Sequence, residues 1–161
     1  MQGWDTFAVV SGGAAAALLG LLFVAVSLRV DVIAASPELR NRAAQTLTLF
    51  LTPVLVALTM GLPGQSDLAA GIEFLAIAVV VALAFVLLDV RAGRRHPDAG
   101  VSRTLDIAAP RTITCVALAI GAVLVTFAVA FGPYLVALAS SIAIVGGVVS
   151  AWIFLTRIGA R

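Results

Sequence analysis

The chain alternates long apolar runs with short polar segments. Five runs stand out, at 7–28, 43–62, 68–88, 112–131 and 134–156, each of 20–23 residues. Crossing roughly 30 Å of hydrocarbon at about 1.5 Å per residue takes about 20 residues, so each run is predicted to be a transmembrane helix. None of the five contains Arg, and Glu73 in the third is the only acid within them. The last two are separated by Gly132-Pro133 alone. Proline lacks the backbone donor and clashes with the preceding turn, so this pair is predicted to end the fourth helix. The expectation is an all-α integral membrane bundle of five helices in a single domain over residues 1–161.

The arginines assign an orientation. Arg29, Arg40 and Arg42 lie between the first and second runs. Arg91, Arg94, Arg95, Arg103 and Arg111 lie between the third and fourth, and Arg157 and Arg161 follow the fifth. All ten fall on one side, whereas the charges near the other are Asp5, Asp67 and Glu73. By the positive-inside rule the N-terminus is outside and the C-terminus cytoplasmic. Trp4 and Tyr134 then fall at the outer interface and Trp152 near the inner one. The segment 1–6 has no basic residue, so the first run is expected to be retained rather than cleaved as a signal peptide.

Composition narrows the function classes. Apolar residues make up 62% and charged residues 11%, against about 45–50% and about 25% in soluble domains. So few charges cannot cover a soluble globule, and no nucleic-acid partner is expected. One Cys excludes a disulfide framework or zinc cluster within the chain. One His and no Lys leave no His-rich metal site and no Schiff-base lysine. No membrane-embedded nucleophile triad, paired carboxylates or phosphate loop is present, so the chain is read as a non-enzyme without metal or cofactor. His96, beside Pro97 in a basic loop, is read as solvated, and Cys115 as a small apolar residue.

Five patterns remain. Asn41, Gln45, Thr48, Thr52 and Thr59 follow at steps of four, three, four and seven, within about a 60° stripe of one helix face. They either line a water or ion path, or bond backbone carbonyls around Pro53 and a neighbouring helix. Asp67 is expected to cap the third helix, and Glu73 to sit inside it, five residues past Leu68; in an oligomer these acids would form an outer cation-attracting mouth. Small residues at spacing four, Gly12, Ala16 and Gly20 in the first run and Ala139, Ala143, Gly147 and Ala151 in the fifth, are predicted packing seams. In the longest polar segment Arg91, Arg94 and Arg95 are candidates for anionic headgroups. Ser102 is expected to cap a helical lead with an Arg103–Asp106 pair, kinked at Pro110.

Residues 12–28, Arg42-Ala43-Ala44-Gln45-Thr46-Leu47, Leu62-Pro63-Gly64-Gln65-Ser66 and residues 146–152 resemble a group of short actinobacterial membrane proteins, some labelled "modulator of FtsH protease". The Lys-free, Ala- and Arg-rich composition suits such a source. The resemblance implies a multi-pass protein of a bacterial inner membrane and supplies no catalytic residues. The leading expectation is a non-enzymatic membrane protein acting through helix–helix association, as a homo-oligomer or an accessory subunit. The alternative is a homo-oligomeric pore or ion channel lined by the second helix.

Overall fold

The computed structural model describes residues 3–93 and 101–159. It contains six helices: α1 (Asp5–Leu28), α2 (Val30–Ala35), α3 (Pro37–Met60), α4 (Asp67–Gly93), α5 (Val101–Thr126) and α6 (Gly132–Gly159). Among the described residues there is no strand. Four helices, α1, α3, α4 and α6, are long and apolar enough to cross a membrane, and the apolar part of α5 runs from Pro110 to Thr126. The outside is as greasy as the inside. Val9, Leu28, Phe127 and Trp152 are each more than 70% exposed, on surfaces where a water-soluble bundle would carry charge.

Local chemistry sets the helix ends. Ser36 caps α3, its Oγ accepting from the Leu39 N–H at 3.4 Å, with Pro37 in the first turn. The helix therefore begins six residues before the second apolar run, and Glu38 and Arg42 pair at 3.2 Å across its first turns. It then passes through Pro53 without interruption.

At α4 it is Ser66, not Asp67, that supplies the capping oxygen, accepting from the Ala69 N–H at 3.2 Å. Asp67 occupies the first turn, where its charge still meets the positive end of the helix.

The fourth apolar run ends early as a helix, at Thr126 rather than residue 131. The N–H of Ala128 bonds the Val125 carbonyl and that of Val129 the Leu124 carbonyl, both at 2.9 Å, closing a Schellman motif. Ala128 sits in the left-handed region at φ 53°. Gly132-Pro133 then opens α6 instead of forming the break. The first turn of a helix has no hydrogen bond for proline to remove. Pro110, by contrast, lies in the interior of α5.

Four helices close a ring in the order α3, α4, α5, α6, each packed on its sequence neighbour and α6 packed back on α3. The fifth, α1, lies outside the ring against α3, with a minor contact to α6. Three clusters fill the interior. Val56, Phe74, Leu118, Val125 and Val136 meet in the half away from the arginines. Leu49, Val81, Phe85 and Ala143 occupy the middle. Leu22, Ile33, Phe50 and Phe154 join α1, α2, α3 and α6 near the arginine-bearing end.

Candidate functional site

The polar stripe of the second run lies on α3, the most enclosed helix, which α1, α4 and α6 contact. Asn41, Gln45 and Thr48 are half-buried there, and Thr52 and Thr59 are buried. The Thr48 hydroxyl donates to the Ala44 carbonyl and that of Thr52 to the Thr48 carbonyl, each at 2.8 Å. Thr46, Thr114 and Ser140, also buried, donate to carbonyls one turn back in the same way. A hydroxyl bonded to its own helix is satisfied inside hydrocarbon without a partner helix or water.

At the arginine-bearing end of this stripe is a cluster that the sequence did not single out. Asp89 of α4 accepts from Gln45 Nε2 of α3 at 3.0 Å and from Arg111 Nη1 of α5 at 2.9 Å, both on Oδ1. The Arg111 guanidinium also lies 5.6 Å from the Phe85 ring centroid, a cation–π distance. One carboxylate thus ties three helices. Asp89 is 54% exposed while Arg111 is only 11% exposed. The one available signal was that Asp89 immediately follows the third run and Arg111 immediately precedes the fourth. In an antiparallel pair those positions adjoin.

Two cavities flank Arg111. The larger, about 180 Å³, lies between α4 and α5 and is lined by Ala82, Phe85, Asp89, Thr112 and Cys115 besides Arg111 itself. The smaller, about 40 Å³, lies between α3, α5 and α6, with Arg42, Arg111, Gln45, Thr46 and Ser150 on its walls.

The predicted seams fall differently. Ala139 and Ala143 are fully buried, and Gly147 is buried against Phe50 of α3, where an added Cβ would stand 2.6 Å from a ring carbon. Ala151 packs on the α1–α3–α6 cluster. Of the α1 seam glycines, Gly12 meets a neighbour, its Cβ position 2.5 Å from that of Ala57, and Gly20 meets nothing within 4 Å. Ala16 and Gly20 are exposed, and the buried positions are Ala8, Ala15 and Leu22. Spacing four drifts about 40° per step on a straight helix, so the stripe winds from the contact face to the outside.

Asp67 is exposed and Glu73 half-buried. Six residues apart on α4, they point about 120° from each other and share no face. Trp4 and Tyr134 meet edge to face at 5.0 Å at that end of the bundle. Arg91 is exposed at the other end. The side chains of Arg94, Arg95, His96, Ser102, Arg103 and Asp106 lie outside the described residues. Among the described residues no group of three His, Cys, Asp or Glu side chains is placed to hold a metal. No family model, curated protein or solved structure matches the chain.

Proposed function

We propose that this chain is a five-span protein of a bacterial inner membrane, N-terminus outside, that works by binding other transmembrane helices rather than by chemistry. The observation that carries this is the outward face of α1. Only 17% of its membrane-crossing stretch is buried, against 50% for α3. Gly13, Ala16, Ala17 and Gly20 are all exposed on it, and a Cβ added at Gly13 or Gly20 would meet nothing within 4 Å. In lipid, helices associate where small residues let backbones approach. The partner is a second copy or a larger complex, and regulation of a membrane protease is one form this takes. A pore lined by α3 has less support, because that helix is enclosed within its own subunit and its Thr48 and Thr52 hydroxyls already bond carbonyls.

Crosslinking in native membranes tests the association. In a Cys115→Ser background, Gly20→Cys is expected to give a defined dimer or heteromeric product, and Val80→Cys, exposed on α4, is not. Equal yields from the two positions sink the reading. A reporter active only in the cytoplasm, fused after Arg161, is expected to be active; silence reverses the orientation.

A further inference from the structure

The end of the bundle away from the arginines gathers aromatic rings from two distant segments of the chain. Trp4 precedes α1 and Phe7 lies in its first turn, while Phe131 and Tyr134 flank the Gly132-Pro133 pair that opens α6. The Trp4 ring stands nearly perpendicular to two neighbours, at 80° to Tyr134 with centroids 5.0 Å apart and at 83° to Phe7 at 5.8 Å. Phe131 lies closer to parallel with Tyr134, at 25° and 6.2 Å. Each ring of the Trp4–Tyr134 corner is thus braced by a second ring, and Phe7 in turn packs on the interior cluster of Val56 and Phe74.

Mutual attraction of rings and their preference for the bilayer boundary explain the gathering. The angle adds something further. In a perpendicular pair the edge-on ring keeps both faces uncovered by its partner, and one of them meets the partner's face in a right-angled corner. Tyr134 and Phe131 are each 60% exposed and Trp4 is half-buried, so the corner is not sealed by the bundle. The face of an aromatic ring carries partial negative charge, and two faces at right angles aim it at one point.

That geometry suits a cation, and the surroundings narrow its kind. Metal ions and primary ammonium groups give up water only for a set of oxygen ligands, which rings do not supply. A methylated ammonium spreads its charge over methyl groups that also make apolar contact. Asp5, exposed in the first turn of α1 and next to Trp4 in the chain, adds charge of the right sign. The N-terminal ends of α1 and α6 oppose a cation, but at exposed positions each costs about fivefold at most, and Asp5 offsets the first.

We infer that the Trp4–Tyr134 corner binds a quaternary ammonium group. Trp4 precedes the first apolar run and Tyr134 opens the fifth, so the corner stands where bilayer meets water. The group reaches it either as a free solute or as the headgroup of a choline lipid in the adjoining leaflet. Phe7 and Phe131 are positioning residues that hold the two rings at their angle. The site is built within one subunit, so it stands apart from any helix partner at α1.

The test uses the full chain in a maltoside detergent, which carries no ammonium group. Trp152, 71% exposed at the other end, is the only other tryptophan, so Trp152→Phe leaves Trp4 as the sole reporter. Choline is expected to change Trp4 emission saturably, with a Kd on the order of 1–10 mM. The uncharged tert-butyl analogue of choline is expected to have no such effect. In the same background Tyr134→Leu should weaken binding about fivefold, and Tyr134→Phe should leave it unchanged because the ring and not the hydroxyl is used. Asp5→Asn should weaken it about twofold. Nanodiscs separate the two sources. Loss of the choline response in phosphatidylcholine but not in phosphatidylglycerol makes the lipid headgroup the occupant; an equal response in both makes the free solute the ligand. No saturable response, an equal response to the uncharged analogue, unchanged binding in Tyr134→Leu, or a response that survives Trp4→Leu through Trp152 overturns the proposal.

Discussion

At the arginine-bearing end α3, α4 and α5 are joined by side chains. Gln45 and Arg111 share one oxygen of Asp89, and no two backbones need to touch. At the opposite end α4, α5 and α6 meet backbone to backbone. A Cβ on Gly71 would collide with the Thr126 hydroxyl and stand 2.6 Å from its amide nitrogen, and one on Gly132 would stand 2.7 Å from the Val125 nitrogen. Near water a long polar side chain can reach across a gap and remain solvated. In hydrocarbon the attraction comes from contact area, so the chain removes side chains to increase it. One end is therefore sensitive to charge and salt, the other to volume.

The largest effect is expected from filling the close contact. Gly71→Leu should cost about 3 kcal/mol or prevent assembly of α4 on α5, and Gly71→Ala about 1–2 kcal/mol, measured by denaturant titration in micelles. A neutral Gly71→Leu would mean the two helices are further apart than described. At the other end Arg111→Gln should cost about 1 kcal/mol, since its partner is half exposed and screened. Added salt should shrink that difference while leaving the Gly71 variants unaffected. A double-mutant cycle with Asp89→Asn isolates the pair, and no coupling there would dissolve the contrast between the ends.

Ala128→Gly probes the turn beside the close-packed end. Relief of left-handed strain should outweigh the added freedom of the unfolded chain and stabilise by roughly 0.5 kcal/mol. Thr52→Val lies between the two ends and should have a comparably small effect, within about 0.6 kcal/mol, because it removes one local hydroxyl–carbonyl bond. Ion flux in liposomes is expected to be the same with and without it.

Hydrophobic run length alone located the long helices, because a lipid environment permits few alternatives to them. Their ends were harder to place. Glu38 and Arg42 look like loop charges until an i,i+4 pair draws them into α3. The fourth run continues apolar through 127–131, so hydropathy hides the turn that Ala128 makes. Neighbour relations were not legible at all. Gly12, Ala16 and Gly20 look equivalent as a spacing, yet Gly12 stands against Ala57 while Ala16 and Gly20 are exposed, because nothing in the spacing says which face meets α3. The Asp89–Arg111 tie was missed for the same reason. Arg111 counted only toward the orientation, and its pairing with Asp89 depends on α4 and α5 lying side by side.

The ring has a consequence for the order of events during synthesis. The α1–α3, α3–α4, α4–α5 and α5–α6 contacts are between helices made one after another. The first three can form before α6 is made. The α5–α6 and α3–α6 contacts, with the minor α1–α6 contact, must wait for α6. Until then α3 presents an open flank to lipid and to other proteins in the membrane, with Phe50 waiting for Gly147. That interval, rather than the finished bundle, is when the protein is most open to capture by insertion factors or quality-control proteases.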